Sequence, residues 1–118
     1  MGEEKVRSRI SKLVYNSIKD IFNQRCYPIV AELTTVKPFS VYKIDSQRPD
    51  YTKDGIYEWV HSVNIKIVCD KYDDLLDYTD RVINAINEIE VDDMSISQIT
   101  EDYIDDEYVC DVDVEFYT

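Results

Sequence analysis

Along residues 57–89 the spacing of apolar side chains changes once. His61, Val63, Ile65, Ile67 and Cys69 alternate with Ser62, Asn64, Lys66 and Val68, which is the period of a strand. Beyond Asp70 the apolar positions become Tyr72, Leu75, Leu76, Thr79, Val82, Ile83, Ile86 and Ile89, a helical stripe with Asp73, Asp77, Asp80 and Arg81 opposite. A long strand feeding an amphipathic helix is expected to be the folding core, with Asp70 as the helix N-cap. Residues 3–25 carry a second helical stripe (Val6, Ile10, Leu13, Val14, Ile18, Ile21, Phe22) that should stop before Pro28.

The remaining segments read as strands and turns. Residues 29–35 are a strand candidate, with Pro28 at the first position of an edge strand. Residues 39–45 are rich in β formers. Residues 47–55 are polar, with Pro49 and an Asp54-Gly55 turn signal, and predict a long hairpin loop. Together with the strand's outer end, residues 47–58 are expected to project. The third strand is 56–69. A polar turn is expected at 90–93, a fourth strand at 94–103, and a fifth at 108–117, where Tyr108, Cys110, Val112, Val114 and Phe116 alternate with acidic residues. The order helix, strand, hairpin, helix, hairpin predicts one α+β domain over residues 1–118. Its mainly antiparallel sheet has about five strands, with two helices packed on it.

Composition supports a packed core: 44% of the 118 residues are apolar, and glycine and proline are too few for long linkers. No apolar run approaches the roughly 20 residues that span a bilayer, and no hydrophobic leader begins the chain, so a soluble cytoplasmic protein without a membrane partner is expected. The net charge of −12 is unevenly placed. Residues 1–25 hold six basic residues against three acidic ones, whereas residues 70–118 hold seventeen acidic residues against two basic ones. Such a division suits a face that meets the opposite face of a neighbour, as well as plain solubility.

Candidate chemistry is sparse. The acidic cluster Glu101, Asp102, Asp105, Asp106 and Glu107 lacks the glycine and spacing of a calcium loop. Asp111, Asp113 and Glu115 put three carboxylates on one strand face, a row to be answered by solvent, a bound ion, or Lys and Arg of another subunit, with solvent or a neighbour favoured. His61 has no nucleophile or zinc-ligand partner in the pattern and reads as structural. Cys26, Cys69 and Cys110 form no CxxC pair and read as buried thiols. No glycine-rich phosphate cradle occurs, and the overall acidity argues against stable DNA binding. No catalytic residue, cofactor or metal is expected. The projecting segment carries Arg48, Tyr51, Lys53, Tyr57 and Trp59, and the first helix carries Arg7, Arg9 and Lys12; these are the interface candidates, although strand propensity alone also explains the tyrosines.

Several of these features occur together in one family. A first helix leads to Tyr27-Pro28, then to Phe39, Val41 and Tyr42. A polar loop and a Val63-x-Ile65-x-Ile67 strand follow, then a helix opened by Tyr72-Asp73 and carrying Leu75, Thr79, Val82, Ala85 and Ile86. An acidic alternating strand ends the pattern. This order resembles the tail-terminator, or tail-completion, proteins of long-tailed phages and prophages, over roughly residues 14–116. The resemblance implies a structural, non-enzymatic virion protein at the tail neck, assembled in the host cytoplasm. It would be a ring subunit, typically in a hexamer, that caps the tail tube and docks it to the head connector. DNA would pass without specific binding, past lumen candidates Asp111, Asp113 and Glu115. The acidic C-terminal half and basic first helix depart from a typical member. The alternative is a non-phage acidic α+β binding module, or a DNA mimic that inhibits a nucleic-acid enzyme.

Overall fold

The computed structural model describes residues 6–32, 35–52, 55–89 and 94–117. Its elements are α1 (Val6–Ile18), β1 (Cys26–Pro28), β2 (Phe39–Thr52), β3 (Gly55–Cys69), α2 (Tyr72–Asn87), β4 (Met94–Ile104) and β5 (Glu107–Tyr117). The strands form one sheet in the order β1-β2-β3-β5-β4. β1 pairs parallel to β2; every other pair is antiparallel. The α+β architecture and the mainly antiparallel five-stranded sheet are the expected ones, with β1 added in parallel.

The core follows from periodicity. β3 is paired on both sides, and its alternate residues Val63, Ile65, Ile67 and Cys69 are buried under the helices. The partners Val114, Val112 and Cys110 of β5 lie beside them in register. From α2 come Leu75, Thr79, Val82 and Ile86, one stripe at helical spacing. From α1 come Ile10, Val14 and Ile18. The turn after α1 meets α2 where Phe22 stacks on Tyr78, with ring centroids 5.3 Å apart.

Several local expectations are corrected. α1 stops at Ile18 rather than near residue 25, and the expected residues 3–5 lie outside the described ones. The chain then turns: the Gln24 N–H donates to the Lys19 carbonyl at 2.8 Å, with Asn23 and Gln24 at φ 52° and 71°. Asparagine tolerates that left-handed backbone, so it ends a helix readily. The first strand is Cys26–Pro28, not residues 29–35. Ile29 sits at φ 67°, and the Val30 N–H closes back on the Pro28 carbonyl at 2.7 Å, which breaks the extended run. Pro28 therefore ends the edge strand instead of starting it. At α2 the cap position is held by Lys71 without a side-chain cap bond. Asp70 lies one residue too early and instead sits 3.6 Å from Lys37. The expected turn at 90–93 lies outside the described residues.

The largest correction concerns residues 47–55. Residues 47–52 and 55 are strand rather than loop, and 53–54 lie outside the described residues. β2 and β3 stay paired through Arg48↔Val60, Pro49↔Trp59 and Asp50↔Glu58 as far as Thr52↔Gly55. The third strand of this region, β5, pairs with β3 only up to Val60↔Tyr117. Residues 49–52 and 55–59 thus form a two-stranded ribbon beyond the three-stranded part of the sheet. Its radius of gyration of 15.2 Å exceeds the roughly 13 Å expected of a compact chain this long. At the other hairpin, Asp105 and Asp106 at φ 51° and 66° make a two-residue turn whose twist matches its strands.

Burial separates the two sides of the structure energetically. Leu75→Ala should cost about 2–5 kcal/mol in urea unfolding, because its site is sealed between α2 and the sheet. Ile99→Ala on β4 should change stability by less than about 0.5 kcal/mol, because Ile99 is exposed.

Candidate functional site

Among the described residues no helix covers the second face of the sheet, and its two ends differ. At one end Phe39, Val68 and Val109 form a small buried cluster, with Tyr27, Ala31 and Val41 against it. This cluster floors a cavity of about 330 Å³ whose rim carries Lys43, Lys66 and Glu107. At the other end lies the acidic row. Asn64 Nδ2 donates to Asp111 Oδ1 at 3.2 Å and to Asp113 Oδ1 at 2.9 Å. Lys66 Nζ stands 3.9 Å from Asp111, and Arg48 stands 3.4 Å from Glu115, which also accepts from the Tyr117 hydroxyl at 2.9 Å. Within its own chain the row thus meets an amide, an ammonium and a guanidinium. The reason is register: β3 places Asn64 and Lys66 directly beside Asp113 and Asp111, so amide and ammonium face the carboxylates across the ladder.

The interface candidates divide. Arg48 and Glu115 meet, which joins the ribbon to the acidic row. Trp59 is exposed on the ribbon, where Tyr51 and Tyr57 are also strand residues; Lys53 lies outside the described residues. Arg7, Arg9 and Lys12 are exposed on α1. The first of these lines an open groove of about 730 Å³ between α1 and the β1–β2 edge, with Ser8, Ser11, Tyr42, Lys43 and Ile44.

His61 is buried at the base of the ribbon, where Gln47 Nε2 lies 2.7 Å from its Nδ1. Burial, then the Arg7 charge, holds its pKa below the ordinary histidine value. Cys26, Cys69 and Cys110 are buried free thiols. Burial first, then Asp74 and Asp70, pushes the Cys69 thiol up to about 12, so it is inert as a nucleophile at neutral pH. Among the described residues no group of three or more His, Cys, Asp or Glu could hold a metal ion.

One surface escaped the sequence reading. β4 is an edge strand; its first residues Met94 and Ile96 pack against the core under the helices, but beyond them it is exposed. Tyr72, Leu76, Ile99 and Tyr103 are all exposed along this side. The Tyr72 hydroxyl donates to Glu101 at 2.8 Å, and Tyr103 packs on Tyr108 with centroids 4.7 Å apart. The irregularity between Ile96 and Gln98 shifts the alternation by one residue, which hid this apolar row. No protein-family model and no curated protein matches this sequence.

The histidine gives a pH test. Its folded pKa is depressed, so below about pH 6.5 the unfolded chain takes up the proton first. Stability should be complete above that pH and fall as the pH drops through the folded pKa. His61→Gln should show a shallower loss between pH 7.5 and pH 5 than the natural chain, by urea midpoints; equal slopes would exclude His61 as the cause.

Proposed function

We propose that this chain is a structural protein that works by contact: a phage tail-terminator or head–tail joining subunit. It assembles into a ring, a hexamer on the resemblance described above. The ring caps the tail tube and docks it to the head connector, in the neck of the virion. The observation that carries the assembly reading is the ribbon. A paired extension past the body of the sheet presents the exposed Trp59 to a neighbour, with Arg48 at its base. Trp and Arg are the residue types enriched where protein surfaces meet. Head-to-tail contacts in a ring join unlike faces, and the basic α1 and acidic C-terminal half supply unlike faces. The chemistry asked of such a subunit is binding alone, with no catalytic residue and no cofactor.

In this reading the helix-free face lines the passage. Asp111, Asp113 and Glu115 there repel phosphates, and DNA passes without specific binding. The acidity of the C-terminal half also suits the second reading, a monomeric acidic module or DNA mimic bound to a basic enzyme.

Mass measurement by light scattering separates the two. At low salt the ring reading predicts a species several times the 13.9 kDa chain, shrinking as salt rises. Replacing residues 49–59 by an Asn-Gly turn should abolish that species while leaving a cooperatively folded monomer. A truncated chain that still forms rings would refute the ribbon's role, and a monomer that captures a basic partner would favour the mimic.

A further inference from the structure

The sheet has two open edges, and they are complementary. On one side β4 offers eleven residues with no strand outside it. On the other, β1 covers only Ser40–Tyr42 of β2, so residues 43–52 have no outer partner among the described residues. Open edges are templates for further pairing, and one this long rarely stays bare. Strand direction fits as well. The antiparallel steps β2-β3, β3-β5 and β5-β4 leave β4 running opposite to β2. A second copy in the same orientation therefore brings its β2 antiparallel to β4.

The layers above the edges fit in the same way. α1 packs over the β2 edge, and between them runs the open groove lined by Arg7, Ser8, Ser11, Tyr42 and Ile44. Beyond Ile96, β4 leaves Ile99 and Tyr103 exposed on its helix side, next to Tyr72 and Leu76 of α2. The groove lacks a filling strand, and the strand lacks a cover. Their charges are opposite. α1 carries Arg7, Arg9 and Lys12 with no acidic residue. The β4 side carries Glu101 on the strand, with Asp73 and Asp80 beside Leu76 on α2.

We propose that β4 of one copy adds to the free β2 edge of the next, so that the sheet continues across the subunit boundary. Ile99 and Tyr103 enter the groove beneath the next copy's α1. Because β1 blocks the lower part of β2, β4 pairs along the ribbon half. Successive copies are therefore staggered along the strand direction, as strands are when a sheet closes on itself. The occupant is a second copy of this chain, because one molecule carries both the groove and the strand that fits it. This inference rests on the assembly reading above and supplies its contact.

A charge exchange tests it. One variant combines Arg7→Glu with Lys12→Glu; the other combines Asp80→Lys with Glu101→Lys. All four positions are exposed, so both variants should fold like the parent by circular dichroism. Each alone should associate roughly tenfold more weakly than the parent. Mixed in equal amounts they should recover the parental assembly, because each reversed edge then meets its reversed counterpart. If the parent assembles and both variants assemble equally well alone, the edge contact is overturned while the ring reading stands. If the variants weaken but the mixture does not recover, the two patches do not face each other and the contact is again overturned. A parent at 13.9 kDa at every concentration and salt would overturn the ring reading as well.

Discussion

The structure depends on one constraint, the pairing of β3 on both sides while its inner face is sealed. Because β3 lies between β2 and β5, its alternate residues must all point into the same helix-covered layer. A slip of one residue would turn Val63, Ile65 and Ile67 outward and bring Asn64 and Lys66 into the core. The same register that fills the core sets Asn64 and Lys66 against Asp113 and Asp111 on the other face. Core packing and charge pairing are therefore two consequences of one alignment.

Two helices cannot cover five strands. α1 serves the β2 side and α2 mainly serves β3 and β5, which leaves β4 exposed on its helix side beyond Ile96 and open at its edge. On the opposite flank, the ribbon carries β2 beyond the reach of β1. The fold thus satisfies its centre and leaves its margins open, with basic groups near one margin and acidic groups near the other. That arrangement suits a part that joins to copies of itself, as proposed above.

Strong periodicity made the core legible in the sequence. β3, α2 and β5 follow directly from alternation and helical spacing, since each has one buried face. The ribbon was not legible, because neither of its faces is buried by a helix: QRPDYTKDG carries no apolar alternation although it is largely paired strand. Ile29 and Val30 misled in the opposite sense, as β-branched residues that a left-handed turn takes out of the sheet. The β4 surface was hidden by a single-residue shift at Ser97. The charge division was plain in the sequence, but its meaning at the edges needed the strand order, which no local pattern encodes.

Hydrogen exchange of the backbone amides of β4, followed as protein concentration rises through the association range, tests the central claim most directly. The outward amides of an edge strand exchange with solvent in the monomer and should be protected once a second copy pairs with them. The account predicts that alternate amides of residues 94–104 slow together with those of residues 43–52 as assembly proceeds. Assembly with both edges exchanging as fast as in the monomer would contradict it.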